Sequence, residues 1–282
     1  MTTSQMSTAT DTTQVVLSKD EAKISYLTMG SGPAVLVIPG ALSMAADYAA
    51  FGSALAEHFT VHIIERRGRG QSSPQGDDYN MLKECEDVFA LQQKTGASLL
   101  VGHSFGGLVA LEFARNYPSL TKLAVYEPGV SIDGSIPMGW MHGYKKKLAQ
   151  KNSAGAFVEF IIGMGPERIR KIPHWYMKLL LPLIMSTHER KQRLGLLQEN
   201  LREHEEVARL DSSYENYREI TADVLLMYGG KSGLKRVPLS VERLAAVLPR
   251  SETKEFPKLD HFGIDQKAPQ EIARAVSAYF MK

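Results

Sequence analysis

The stretch from Leu99 to Ala114 limits the possible folds of this 282-residue chain more than any other. Its first residues, Leu99 to Val101, are apolar and predict a short buried strand, whereas Leu108 to Ala114 predict a helix. Between the two stands Gly-His-Ser-Phe-Gly, with glycines at positions 102 and 106 around Ser104. A strand that turns at once into a helix strains its central residue and needs glycine where side chains would collide. This spacing is typical of a nucleophile elbow, with an exposed serine hydroxyl at a helix N-terminus that favours developing negative charge.

Strand and helix signals alternate on both sides of this turn. Apolar runs at residues 34–38, 59–64, 123–126 and 223–228 are typical of strands buried on both faces of a parallel sheet. Further strands are predicted at residues 15–17, 23–27 and 252–256, and helices at 45–58, 79–94, 237–248 and 269–280. The sequence therefore predicts an α/β fold, a mostly parallel sheet with helices on both faces. Functional residues are expected after the C-terminal ends of its strands.

The alternation is interrupted between residues 131 and 219. This segment is rich in Met, Trp, Tyr, Leu and basic residues and has no strand signal, which predicts a helical cap inserted into a core of residues 14–130 and 220–282. Residues 1–13 are rich in Thr and Ser and lack the features of a secretory signal, so we expect a disordered tail. The chain has no stretch of about 18 apolar residues, which argues against stable membrane insertion.

Composition narrows the class of protein further. A formal net charge of +2 argues against a nucleic-acid partner. The single cysteine, Cys85, excludes an intramolecular disulfide, as is typical of a reducing compartment, and we expect a cytoplasmic protein. No histidine pair has the spacing of a metal motif such as HExxH, so no metal and no cofactor are expected. We expect a monomer or a homodimer.

The serine at the turn needs a chemical partner, because its hydroxyl is a poor nucleophile at neutral pH without a base. Histidine titrates near neutrality and is the expected base. Of the eight histidines, His261 suits this role best, because it follows the last predicted strand and so shares a sheet edge with Ser104. His103, inside the turn, is expected to pack or to hydrogen-bond the backbone. The cap histidines are expected on solvated helix faces, with a place in the pocket lining as the alternative: His142, His174, His188 and His204.

Together these motifs resemble those of the α/β-hydrolase family of serine esterases and lipases. The resemblance covers residues 15–280 and is carried by residues 38–41, 67–72, 102–106 and 260–262. It implies a Ser–His–acid triad, with Ser104 as nucleophile and His261 as general base and then general acid. It also implies an oxyanion hole formed by the backbone N–H groups of Ala41 and Phe105.

The acid of the implied triad is displaced in this sequence. The family usually places an Asp in the turn after the strand before last, but here that turn reads Gly-Gly-Lys-Ser-Gly at residues 229–233. A variation within the fold supplies the acid from the strand that follows the elbow helix, and here that strand ends at Glu127. We therefore expect Glu127 to be the acid. The alternatives are Asp133, or a Ser–His dyad supported by Ser232 or water. Asp260 is a poor orienting group, because neighbouring side chains in an extended loop diverge.

The implied triad suits acyl transfer to water, and we expect hydrolysis of a carboxylic ester through an acyl-enzyme. The cap is rich in Met and aromatic residues, so we expect the small-molecule ester substrate to be apolar and of small to medium size. The predicted pocket lining is Trp140, Met141, Met164, Trp175 and Met177. Alternatives on the same triad are a C–C bond hydrolase or lyase, an acyltransferase, and a slow-turnover ligand-sensing receptor.

Two further features of the cap are assigned structural roles. The basic clusters at residues 145–147 and 168–171 are expected on solvated faces. The apolar run at residues 177–185 is expected to form a lid helix rather than a segment that dips into a lipid interface.

Overall fold

The computed structural model describes residues 12–282. The predicted disordered tail, residues 1–13, therefore lies largely outside the described residues. Its last two residues correct that prediction, because Thr12 and Thr13 already pair with Thr28 and Leu27 in the sheet.

Eight strands form one sheet within the described range: β1 (Thr12–Leu17), β2 (Lys23–Gly30), β3 (Ala34–Ile38), β4 (Thr60–Ile64), β5 (Leu99–His103), β6 (Lys122–Tyr126), β7 (Asp223–Gly229) and β8 (Ser251–Phe256). Their spatial order is β1-β2-β4-β3-β5-β6-β7-β8. Strand β2 pairs antiparallel with β1 and β4, and the pairs from β4 across to β8 are parallel. The six parallel strands thus end at one edge of the sheet, and the predicted α/β fold class is confirmed.

Eleven α-helices occur in the same range: α1 (Ala49–Leu55), α2 (Met81–Thr95), α3 (Phe105–Asn116), α4 (Trp140–Ala149), α5 (Ser153–Met164), α6 (Glu167–Arg170), α7 (His174–Ile184), α8 (Thr187–Gly195), α9 (Leu197–Arg209), α10 (Arg236–Val247) and α11 (Pro269–Phe280). Two 3₁₀ turns, Ala45–Tyr48 and Ser213–Glu219, and a π-helical turn, Gly263–Lys267, are also present in this range. Helices α2, α3 and α10 bury apolar residues on one face of the sheet, and α1 and α11 do so on the other.

The helix predicted at residues 45–58 is shorter than expected. A 3₁₀ turn, Ala45–Tyr48, leads into α1, which ends at Leu55. The chain must turn there because Phe59 enters the core and packs edge-on against Phe280, with ring centroids 6.1 Å apart. Strand β4 then begins at the next residue.

We refer to residues 131–219 as the cap. All of these residues are described, and they form α4 to α9 and a 3₁₀ turn, with no strand. The cap helices surround an apolar cluster of their own, which includes Trp140, Tyr144, Phe157, Met177, Leu181 and Leu197.

Buried ion pairs join the cap to the loop after β4. The guanidinium of Arg66 lies 3.0 Å from the carboxylate of Glu84 and 3.0 Å from that of Glu203. Arg69 lies 2.6 Å from the same Glu203 carboxylate. Because Glu203 belongs to α9, these contacts fix one side of the cap against the core. Loss of one partner would leave an uncompensated buried charge.

Candidate active site

The turn between β5 and α3 has the geometry expected of the Gly-X-Ser-X-Gly sequence. Ser104 has φ 53° and ψ −122°, a conformation that L-residues rarely adopt. A Cβ atom on Gly102 would lie 2.5 Å from the carbonyl oxygen of Gly106, and one on Gly106 would lie 2.2 Å from that of Ile38. Both positions therefore require glycine, since any side chain would collide with backbone.

His261 and Glu127 lie in line behind the Ser104 hydroxyl. This hydroxyl donates to Nε2 of His261 over 3.1 Å, and Nδ1 of the same ring donates to Oε2 of Glu127 over 2.8 Å. Glu127 directly follows β6, is buried, and has a φ of 43°. These distances suit proton transfer from serine to histidine, with the carboxylate orienting the ring.

The glycine-rich turn after β7 supports the Glu127 carboxylate. The Gly229 N–H donates to its Oε1 over 2.9 Å, and the Ser232 hydroxyl donates to the same oxygen. Asp133 and Asp260, the other carboxylates considered from the sequence, make their side-chain hydrogen bonds with other residues. Of these acids, Glu127 is the one whose carboxylate contacts the imidazole.

The predicted oxyanion donors border the cavity at the elbow. Phe105 is the first residue of α3, where a backbone N–H has no partner within the helix. Gly40, next to Ala41, is held from both sides. Its carbonyl accepts a hydrogen bond from Arg66 over 2.9 Å, and its N–H donates to the Tyr48 hydroxyl over 3.0 Å. These contacts fix the loop in which Ala41 lies.

His103 connects this loop to the backbone of His261. Its Nδ1 accepts from the Tyr48 hydroxyl over 2.5 Å, and its Nε2 donates to the His261 carbonyl over 2.9 Å. Burial, reinforced by the nearby His261, holds the pKa of His103 well below its usual range, so the ring is neutral at physiological pH. The backbone contact agrees with the expectation for His103. Tyr48 was not identified from the sequence because its partner lies 55 positions away.

A cavity of about 610 Å³ opens above Ser104 between the core and the cap. Its wall on the core side includes the elbow, His261 and the loop after β7. Apolar side chains of the cap line the opposite wall: Phe157, Phe160, Ile161, Met164, Ile169 and Met185.

Four of the five residues predicted to line the pocket lie away from this cavity. Met164 lines it, but Trp140 and Met177 are buried inside the cap cluster, and Met141 packs against that cluster. Trp175 is exposed to solvent. The prediction was wrong because α4 and α7 direct these side chains toward other cap helices or solvent, so that α5 supplies much of the lining.

The titratable side chains that line the cavity besides the Ser104 partners include His204, Arg236 and Asp265. His204 corrects an expectation, because it is buried rather than solvated and packs against Trp140 and Phe160. Burial and the nearby Arg170 lower the pKa of Arg236 to about 10. Burial raises the pKa of Asp265 to about 6, although the neighbouring His261 opposes this shift.

Across residues 12–282, no group of three or more His, Cys, Asp or Glu side chains is arranged to hold a metal ion. Over the same residues, no helix combines the length and apolar character needed to cross a membrane.

Comparison with known families places the chain in a class. The model of the α/β hydrolase family matches residues 35–275, and the chain belongs to this family. The family resemblance noted from the sequence is thereby confirmed.

Solved structures resemble the chain over nearly its whole length. An α/β hydrolase from Sphaerobacter thermophilus has 25% identity and a TM-score of 0.80, covering 95% of this chain and 100% of that one. An enol-lactonase from Burkholderia xenovorans has 16% identity and a TM-score of 0.74, covering 95% and 100%. An esterase from Rhodococcus sp. has 16% identity and a TM-score of 0.70, covering 96% and 98%. At such low identities the last two support the fold alone.

A curated relative shares a shorter segment. An uncharacterised protein of Mycobacterium tuberculosis is 34% identical over 125 residues, which cover 39% of this chain and 36% of that protein. The chain thus matches little more than a third of the length of this relative.

Proposed function

We propose that this protein is a serine hydrolase that cleaves a carboxylic ester of a small to medium apolar substrate through an acyl-enzyme. The observation that carries the proposal is the unbroken hydrogen-bonded line from Ser104 Oγ through His261 to Glu127, at the wall of a cavity of about 610 Å³. A nucleophile, a base and an orienting carboxylate in this order are the parts that acyl transfer requires.

The proposed reaction begins when Ser104 Oγ attacks the ester carbonyl carbon and His261 Nε2 takes the hydroxyl proton. The carbonyl oxygen becomes an oxyanion, which the N–H groups of Ala41 and Phe105 receive, each contributing about a hundred- to a thousandfold in rate. His261 then gives its proton to the leaving alcohol, and the acyl group remains on the serine. Water, deprotonated by His261, then attacks the acyl carbon, and a second oxyanion intermediate forms. When it collapses, the bond to Ser104 Oγ breaks, His261 returns its proton to Oγ, and the acid is released.

The cavity supports the proposed substrate class. Its cap wall is formed largely by the aromatic and aliphatic side chains of α5 and by Ile169 and Met185. Apolar walls with few polar groups favour an apolar acyl or alcohol part. Structural neighbours include proteins described as esterases and an enol-lactonase, so both open-chain and cyclic esters belong in the substrate search.

The proposal includes the setting of the reaction. We place the enzyme in the cytoplasm, since a single cysteine cannot form an intramolecular disulfide, as is typical of a reducing compartment. We expect no nucleic-acid partner, since a net charge of +2 offers no strong attraction for nucleic acid. It requires no cofactor or metal in this mechanism, and it acts as a monomer or a homodimer.

A series of p-nitrophenyl esters, from acetate through butyrate and octanoate to palmitate, tests the reaction. We expect a burst of p-nitrophenol equal to the enzyme concentration where deacylation is slow, and the highest kcat/KM at intermediate chain length. Ser104→Ala should keep the fold and lose turnover. The absence of both burst and turnover on every ester would refute the esterase proposal.

A covalent probe separates the remaining alternatives. A fluorophosphonate should label Ser104 and no other serine, as mass spectrometry of peptides would show. Rapid labelling without turnover of any ester would favour the ligand-sensing receptor. Product analysis with an added alcohol acceptor would reveal an acyltransferase, because the new ester would form in preference to the free acid.

A further inference from the structure

The outer face of α7 exposes an unusual amount of apolar surface. In the described part of the chain, eleven large hydrophobic side chains are exposed, and five of them lie within residues 175–184. They are Trp175, Tyr176, Leu179, Leu183 and Ile184, with Trp175 67% and Leu183 80% exposed. A soluble surface rarely gathers so many apolar side chains in one place unless something binds there.

The spacing of these residues gives α7 two apolar faces. Trp175, Leu179 and Leu183 recur every fourth residue and so form one stripe along the outside of the helix. Met177 and Leu181 point the other way and are buried in the cap cluster. The inner face alone is enough to hold α7 on the cap. A helix that is apolar all round is normally covered on all sides.

The chain around α7 is strongly basic. Residues 166–191 contain six basic side chains and two acidic ones: Arg168, Arg170, Lys171, Lys178, Arg190, Lys191, Glu167 and Glu189. This segment therefore has a formal charge of +4, whereas the whole chain has +2. Both glutamates are engaged locally, since Glu167 pairs with Lys171 and Glu189 closes the N-terminus of α8. The apolar stripe is thus flanked by an excess of positive charge.

The apolar stripe also borders the cavity that holds Ser104. Ile184 at the end of α7 and the following Met185 both line that cavity, and Arg168 lines it from the basic flank. A surface docked on α7 would therefore lie next to the opening of the candidate active site.

In contrast to the lid role expected from its sequence, we propose that α7 is a docking element for an anionic lipid surface. In this arrangement Trp175, Leu179 and Leu183 enter the headgroup region, and the flanking basic side chains contact lipid phosphates. Binding of this kind is peripheral and reversible, and the catalytic proposal is not needed for it.

The charge distribution favours lipid over a second copy of this chain. In a two-fold homodimer built on α7, the same patch on each subunit would face its copy. The basic flanks would then face each other and repel, whereas an anionic surface attracts them. A homodimer through α7 is therefore an outcome that the experiment must be able to detect.

Tryptophan fluorescence of the whole chain with lipid vesicles tests the proposal directly. The chain contains two tryptophans, and Trp140 is only 6% exposed, so a change in emission reports on Trp175. We expect a blue shift and co-sedimentation with vesicles of phosphatidylcholine and phosphatidylglycerol. Pure phosphatidylcholine should bind at least tenfold more weakly, and added salt should reduce binding.

Two substitutions sharpen the test. Leu183→Asp should lower the vesicle partition coefficient at least tenfold, because it places a negative charge in the apolar stripe. Leu82→Asp is the matched control, because Leu82 is also exposed, at 53%, but lies on α2 of the core. It should bind vesicles as the unmodified protein does. Circular dichroism checks the fold of each variant, and the blue shift of the unmodified chain stands even if one fails to fold.

Three results would overturn the proposal. The first is the absence of both blue shift and co-sedimentation with anionic vesicles. The second is equal binding to neutral and anionic vesicles, or an equal loss in both variants. The third is a homodimer, seen by light scattering, that Leu183→Asp converts to a monomer. Because vesicle binding is measured without turnover, a failure of the esterase proposal leaves this test unaffected.

Discussion

The substitution Glu127→Gln tests the proposed catalytic role of the carboxylate while leaving its contribution to the stability of the fold largely intact. Oε1 of Glu127 accepts from the Gly229 N–H and from the Ser232 hydroxyl, so the amide oxygen of a glutamine must occupy that position. The amide nitrogen then faces Nδ1 of His261, where Oε2 accepted before. The Gly229 N–H, the Ser232 hydroxyl and His261 Nδ1 each keep a hydrogen-bond partner, so we expect little change in thermal stability.

The same orientation disables the histidine. An amide nitrogen donates, so Nδ1 of His261 must accept and its proton must sit on Nε2. In that tautomer Nε2 has no lone pair to take the Ser104 proton. Loss of the correct tautomer in a Ser–His–acid triad lowers kcat by about four orders of magnitude, or about 5.5 kcal/mol in the barrier. The fall should appear in kcat on the best p-nitrophenyl ester, measured after active-site titration.

Ser232→Ala is the matched control for this prediction. It removes one donor to Oε1 but leaves the Glu127 carboxylate in contact with His261. The loss of a single hydrogen bond should reduce kcat by at most about tenfold. If Glu127→Gln retains kcat within about tenfold of the unmodified enzyme, the assignment of Glu127 as the acid is wrong.

Three further substitutions test other parts of the structure. Because burial raises the pKa of Asp265 to about 6, the folded protein binds an extra proton between about pH 4 and pH 6 and loses stability as the pH rises through that range. At about pH 8, Asp265→Asn should therefore raise the melting temperature, and the free energy of unfolding should increase by up to about 2–3 kcal/mol. Near pH 4 neither quantity should increase. An equal gain at both pH values would contradict this. Glu203→Leu removes the carboxylate that pairs with the buried Arg69 and one of the two that pair with Arg66, and it should lower the urea-unfolding free energy by about 3–5 kcal/mol. Glu205→Leu, at a surface pair, should cost under about 1 kcal/mol. Gly106→Ala should abolish soluble folded protein. Gly96→Ala is its control, because a Cβ atom there meets nothing within 4 Å although φ is +69°. This variant should fold, with a free energy of unfolding lower by about 1–2 kcal/mol. Similar yields of the two alanine variants would refute the collision argument.

Much of the core could be predicted because buried parallel strands leave a clear sequence signal. Strands β3 to β7 are short apolar runs, and a strand covered on both faces has no reason to alternate with polar residues. The closing helix was predicted with its observed bounds, Pro269–Phe280, since it begins at proline and has one apolar face. Helix α1 was placed less accurately, because its end depends on where Phe59 packs in three dimensions.

The cap could be predicted only as a set of helices. Helical spacing shows that a segment has an apolar stripe, but α7 has two, and the sequence does not distinguish the inner from the outer one. Trp140 and Trp175 illustrate this, because both were assigned to the pocket, and one is buried in the cap cluster while the other is exposed. Packing between helices that are distant in the chain determines which stripe is buried.

Within the candidate site, residues that belong to local sequence motifs could be predicted, whereas residues that act through long-range contacts could not. Ser104 and His261 stand in recognisable sequence contexts. Glu127 could be predicted as the acid because the expected aspartate is missing after β7. The supporting groups have no such context. Tyr48 lies on a 3₁₀ turn far from His103 in the sequence, and Asp265 lies on a π-helical turn after β8.

In the proposed mechanism, the position of Glu127 after β6 places the orienting acid on a different loop from the residues after β7 that line the cavity. The segment after β7 does not supply the carboxylate. Of the side chains described in this segment, that of Ser232 hydrogen-bonds to Glu127. Its other residues are free to face the cavity, and Lys231, Leu234 and Arg236 do so. Sequence changes between positions 233 and 237 can therefore alter which substrates fit without moving the acid. If the proposed hydrolase activity holds, this loop is where substitutions should change substrate preference with the smallest loss of kcat.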